Sequence, residues 1–129
     1  MWVDFIKKLP LFLSLVFSLQ TLHAEDKTAT EKGKNEIFIA RIESMKEAVF
    51  IRNGSQYEAT TAAKFLRGKW RAQAKSIVTA TDFIEKIASK SSTTGKPYVI
   101  RFKAGNEINC GDFLQQELLK LERPSTKSD

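Results

Sequence analysis

Apolar residues at Phe38, Ile42, Met45 and Val49 recur with the spacing of one helix face. They predict a first helix from residue 36, with Asn35 as its N-cap and Glu36 in its first turn. The period then shortens. Phe50-Ile51-Arg52 is a short β-type run, and Asn53-Gly54 after it is a strong hairpin signal, because both central residues of such a turn need positive φ. Gln56-Tyr57 starts the return strand. "TTAAKFLRGKWRAQAK" restores the helical period, with Thr60 or Thr61 as cap and Ala62, Leu66, Trp70 and Ala74 as its apolar stripe. Lys64, Arg67, Arg71 and Lys75 form a basic stripe on another side, most simply a solvated face. Gly68 costs this helix about 1 kcal/mol against alanine and is expected to allow a close approach by another element.

In "TATDFIEKIASK", Thr79 and Asp82 have the capping-box spacing of a third helix, and Phe83, Ile84, Ile87 and Ala88 form its buried side. Residues 98–102 alternate and Ala104-Gly105-Asn106 turns, which predicts a second hairpin. The last helix, "GDFLQQELLKLE", turns Leu114, Leu118 and Leu121 inward and stops at Pro124. The expected fold is α+β: a small single domain, about four helices packed on a small sheet of two β-hairpins. Phe50-Ile51 is expected to pair with Val99-Ile100.

The N-terminus follows a different pattern. Lys7 and Lys8 precede an apolar run from Leu9 to Leu19, and the small Ala24 follows. This is the three-part layout of a secretory signal peptide, and the run is shorter than the about 20 residues of a bilayer span. A retained membrane anchor is the alternative. The expected organisation is therefore a signal peptide at 1–24, a flexible leader at 25–35, one domain at 36–122 and a polar tail at 123–129. The protein is expected to be exported, to the periplasm or beyond, with no transmembrane segment after cleavage.

Charge and composition narrow the chemistry. The chain carries a formal charge of +6, and losing Lys7, Lys8 and Asp4 with the signal leaves +5. Outside the cytoplasm that surplus points to an envelope protein or an anionic envelope component such as phospholipid or lipopolysaccharide, and away from nucleic acid. The one histidine, His23, lies in the predicted signal. Ser-His-Asp and Cys-His mechanisms and histidine metal sites are thereby excluded from the mature chain. No cofactor, no metal site and no catalytic residue is expected. Cys110 has no second cysteine to pair with inside the chain. Its place before a helix predicts either a thiol of lowered pKa or a small half-buried cap, and an intermolecular disulfide dimer is a further reading.

The segment "SKSSTTGKPY", residues 89–98, ends like a phosphate-binding loop, but Lys90 stands where that loop needs its first glycine and Pro97 where it needs a hydroxyl. The order of helix, loop and strand is also reversed. Thr93 and Lys96 have a serine–lysine hydrolase spacing, with threonine for serine and in a loop rather than at a helix start. Two readings stay open. As a connector, the hydroxyls satisfy local backbone groups and Gly95 makes the turn. As a binding loop, Ser91, Ser92, Thr93 and Thr94 donate to an anionic or sugar group beside Lys96. Glu43 and Glu47 form no convincing catalytic pair.

"FIRNGSQYEATTAAKFLRGKW" followed by "TATDFIEKIASKSSTTGKPYVIRF" resembles the YfeK-like family of small exported bacterial proteins. The pattern F-[IV]-R-N-G falls on Phe50 to Gly54, an A-A-x-x-L-R-x-K pattern on Ala62 to Lys69 with one residue of offset, and the hydroxyl-rich G-K-P-Y run ends at Tyr98. The threonine–alanine pair before that run fits Thr79-Ala80. The resemblance spans roughly residues 36–121, and "KAGNEINCGDF" departs from it, so it says nothing of Cys110. It implies export, bacterial origin and a single domain, and supplies no activity, cofactor or catalytic residue.

These readings converge on a non-enzymatic binding or adaptor domain. Its candidate surface is Arg52, Arg67, Lys69, Ser91, Ser92, Thr93, Thr94, Lys96 and Tyr98. The alternatives are a small Ser/Lys-type hydrolase and salt-sensitive attachment to anionic lipid or lipopolysaccharide.

Overall fold

The computed structural model describes residues 30–123. The predicted signal peptide, residues 25–29 of the predicted leader, and the tail from Pro124 lie outside the described residues. The packing below belongs to one unit that begins at Lys32.

Helix α1 covers residues 30–44, so residues expected in a flexible leader are helical. The stretch is polar on every side and shows no apolar period, yet Glu31, Lys32 and Lys34 are good helix formers. Asn35 is not a cap. It lies inside α1, 2% exposed, and its Oδ1 has no hydrogen-bond partner. Ser44 Oγ donates to the Arg41 carbonyl at 2.6 Å where α1 stops, and a tight turn follows. Val49, expected on the α1 stripe, therefore opens strand β1 (Val49–Arg52).

β1 turns into β2 (Ser55–Glu58) through Asn53 and Gly54, at φ 52° and 80°. Both values lie in the left-handed region that an Asn-Gly turn supplies. β3 (Val99–Arg101) and β4 (Glu107–Asn109) form the second hairpin. The sheet order is β2-β1-β3-β4, antiparallel throughout, with Phe50 opposite Ile100 and Ile51 opposite Val99. The expected pairing of the two hairpins is thus present. Phe50, Tyr57, Ile100 and Ile108 share the face that meets the helical core.

Helix α2 (Ala59–Ala72) follows β2 without a break, so Glu58 rather than Thr60 or Thr61 is its cap residue. The early start rotates the buried stripe to Ala59, Ala63 and Leu66. Ala62 is half-buried, and Ala74 is exposed in a 3-10 turn (Ala74–Ser76) beyond the helix. Trp70 packs edge-on against Phe83, 5.4 Å between ring centres.

Helix α3 (Ala80–Asp82) carries the predicted capping box and continues as a π-helical segment (Phe83–Ala88). The widened turn brings Phe83, Ile84, Ile87 and Ala88 all into the core, and Ser89 Oγ closes it on the Ile84 carbonyl at 2.6 Å. In helix α4 (Cys110–Glu122) the buried set is Cys110, Gly111, Phe113, Leu114 and Leu118. Leu121, expected inward, is 40% exposed. A Cβ on Gly111 would collide with the Ser89 side chain, so this glycine is the point of close approach. Gly68, expected in that role, has only open space above it.

Asp82 gives a pH test of the α3 cap. Its carboxylate accepts from the Val78 and Thr79 N–H groups at 3.0 and 3.1 Å, and these bonds hold its pKa below the ordinary 3.8. A depressed folded pKa adds stability above the unfolded value, and that stability is lost as pH falls below 3.8 through the folded value. Asp82→Asn is expected to lower the urea midpoint at neutral pH and flatten its acid limb. An acid limb identical to that of the unsubstituted protein would refute this role.

Candidate functional cleft

Arg52 and Tyr98 lie in register with Phe50 and Ile100 and so face the helical side of the sheet, at its end. On α2, Phe65, Gly68 and Lys69 share one side at i, i+3 and i+4 and look onto that end. The Arg52 guanidinium lies 4.1 Å from the centre of the Phe65 ring. Phe65 meets Tyr98 edge-on at 6.0 Å. Lys69 Nζ sits 5.0 Å from the Tyr98 ring centre and donates to Tyr98 Oη at 3.2 Å and to the Lys90 carbonyl at 2.9 Å.

These residues, with Lys64, Ser92 and Thr93, frame an open cleft of about 370 Å³. A smaller cavity of about 90 Å³ shares Arg52, Phe65 and Tyr98 with it and runs inward among Phe50, Tyr57, Ala62, Leu66 and Cys110. The mouth is cationic and hydroxylated, and the interior is apolar. Gly68 matters here because any side chain at that position would enter the mouth.

The charges of the mouth stand out from the rest of the molecule. Among the described residues the lysines and arginines that are at least partly buried are Lys34, Arg52, Arg67, Lys69 and Arg101. Lys34 pairs with Glu122, Arg67 with Glu36 and Arg101 with Glu107. Arg52 and Lys69 pair with no carboxylate, and the buried Nε of Arg52 has no acceptor. Burial and then the nearby Arg52 charge pull the Lys69 pKa down. Burial raises Tyr98, with Arg52 acting against it. Cys110, against the expected lowered pKa, is pushed up to about 12 by burial, so a bond to another copy requires the start of α4 to open.

The 89–98 loop does two jobs in one stretch. Ser91 is 2% exposed, and its Oγ accepts from Asn53 Nδ2 at 3.2 Å and from the Thr93 and Thr94 N–H groups. Thr94 Oγ1 donates to Asn53 Oδ1, and Lys96 N–H donates to Thr94 Oγ1. These groups hold the loop against the β1–β2 turn, while Ser92 and Thr93 are exposed at the cleft. Of the candidate residues, the structure brings together Arg52, Lys69, Ser92, Thr93 and Tyr98. Ser91 and Thr94 lie behind them. Lys96 is exposed outside the cleft lining, and Arg67 lies on another side of α2, its Nη1 donating to both Glu36 carboxylate oxygens at 3.0 and 2.8 Å. Lys64, Phe65 and Gly68, outside the candidate set, complete the wall. The signal that finds them is the i, i+3, i+4 relation of Phe65 and Gly68 to Lys69.

Among the described residues no helix is long and apolar enough to cross a membrane. No three His, Cys, Asp or Glu side chains among them gather as a metal site.

The family of unknown function DUF5329 matches residues 29–122. The chain is also similar to "Uncharacterized protein YfeK" of Salmonella typhimurium strain LT2, 37% identical over 70 residues. That alignment takes in 54% of this chain and 58% of the relative, so the chain spans little more than half of the relative's length. No solved structure matches the chain.

Proposed function

The chain belongs to the DUF5329 family, whose function is unknown, and from its own geometry we propose an exported bacterial binding domain, not an enzyme, that holds an anionic group between Arg52 and Lys69. The observation that carries this reading is the missing pair of carboxylates. The other partly buried cations each hold an acid, whereas these two converge unpaired on one cleft. A half-buried charge without a counter-charge is costly, and an incoming anion offsets that cost. Arg52 supplies a planar fork, Lys69 a point charge, and Ser92 and Thr93 supply neutral donors at the rim.

Two-dimensional amide NMR with sodium acetate and with inorganic phosphate tests the reading. Shifts are expected at Arg52, Phe65, Lys69, Ser92, Thr93 and Tyr98. Arg52→Met with Lys69→Met is expected to stay folded and to weaken binding at least tenfold, about 1.4 kcal/mol. Unchanged affinity in that double variant, or shifts centred on other lysines, overturns the proposal. Export is tested separately by the mass of the protein in the periplasmic fraction, expected to begin at Glu25.

A further inference from the structure

We infer that the ligand is a short-chain aliphatic carboxylate, its carboxylate held at Arg52 and Lys69 and its chain in the apolar cavity behind them. The inference rests on the anion reading above and adds the other half of the ligand. Its basis is the adjacency of two spaces of opposite character, which share part of their lining. Arg52, Phe65 and Tyr98 line both the cationic mouth and the apolar cavity, so a group held at Arg52 lies beside that cavity. Phe50, Leu66 and Ala62 offer that interior no hydrogen bond, and the Cys110 thiol stays neutral with its pKa at about 12. Water gains little there, and an alkyl group gains the full benefit of leaving water.

The volume sets the length. A cavity of about 150 Å³ accepts a benzene ring, so the 90 Å³ here holds about three to four carbons and no ring. The head group follows from charge. A carboxylate monoanion loses far less hydration on entering a partly buried site than a phosphate dianion does. The Arg52 guanidinium in the cleft wall carries the planar donor fork that a carboxylate matches.

The experiment is an NMR titration of the folded domain with acetate, pentanoate and octanoate. Each buried methylene is worth about fourfold in affinity, so pentanoate is expected to bind about 50-fold more tightly than acetate. Octanoate is expected to gain no more than about fourfold beyond pentanoate, because the cavity is full. The Ala62 and Leu66 methyl signals should move with pentanoate and not with acetate. Ala62→Leu fills the cavity and should remove the dependence on chain length while leaving acetate binding in place. Pentanoate binding no tighter than acetate overturns the aliphatic ligand and leaves the anion site standing. If neither acetate nor phosphate perturbs Arg52 and Lys69, the anion site itself fails. The chain-length series on the unsubstituted protein decides the matter even if Ala62→Leu does not fold.

Discussion

Phe83→Ala is expected to cost about 3–5 kcal/mol of folding stability, the range for deleting a fully buried phenylalanine. Phe83 is 0% exposed and joins three elements. Its ring lies 6.2 Å from that of Phe38 in α1 and 5.4 Å, edge-on, from that of Trp70 in α2. Its own backbone belongs to the π-helical segment, whose extra residue per turn brings neighbouring side chains to the same interior. Deleting the ring removes its burial and both aromatic contacts and leaves a cavity where three elements meet. A domain of this size has about 5–15 kcal/mol in total, so the variant is expected to lose a large share of its stability. Urea unfolding followed by circular dichroism measures the loss. Phe83→Leu should retain most of the stability, and Val78→Ala, at a residue 71% exposed, should change it by less than about 0.5 kcal/mol. A loss below about 1 kcal/mol for Phe83→Ala would mean that the ring is not at the centre of the core.

Features written in two to four adjacent residues were legible in the sequence. Asn53-Gly54 gave its turn because positive φ is a local property of those residues. Thr79 and Asp82 gave their capping box for the same reason. The pairing of Phe50-Ile51 with Val99-Ile100 was legible because each hairpin has one apolar run of strand length, leaving few alternatives. The start of α1 was not legible. Asn35 looks like a cap from its type, yet it is buried mid-helix by neighbours that no local pattern names. Alanine is equally ambiguous: Ala62 and Ala63 both fit a stripe, and the junction with β2 decides between them. The cleft divides the same way. Arg67 and Lys69 read together as "LRGK", but two residues along a helix turn them apart, and Arg67 finds Glu36 instead. The inner cavity depends on how α2 crosses the sheet, which no single segment encodes.

Ser91→Ala is expected to cost about 2–3 kcal/mol, more than an average loop substitution, because it strands several donors at once. The hydroxyl accepts from Asn53 Nδ2, Thr93 N–H and Thr94 N–H, and Thr94 Oγ1 reaches back to Asn53 Oδ1. Asn53 therefore clasps the loop from the β1–β2 turn, across 38 residues of chain. Asn53→Gly keeps the positive φ of the turn and deletes the clasp, with the added entropy that glycine gives the unfolded chain. The two substitutions remove the same network. The double variant should accordingly fall short of the sum of the single losses by at least about 0.5 kcal/mol. Hydrogen exchange should rise across residues 91–96 in all three variants, while β3 stays protected. The effect on the cleft distinguishes the two uses of the loop. Arg52 is held by strand β1 and Lys69 by helix α2, outside the loop, whereas Ser92 and Thr93 ride on it, so anion affinity should fall severalfold and not vanish. Additive losses within about 0.3 kcal/mol would show that Asn53 and Ser91 do not act as one clasp. Unchanged affinity with a loosened loop would remove Ser92 and Thr93 from the site and leave binding to the two cations alone.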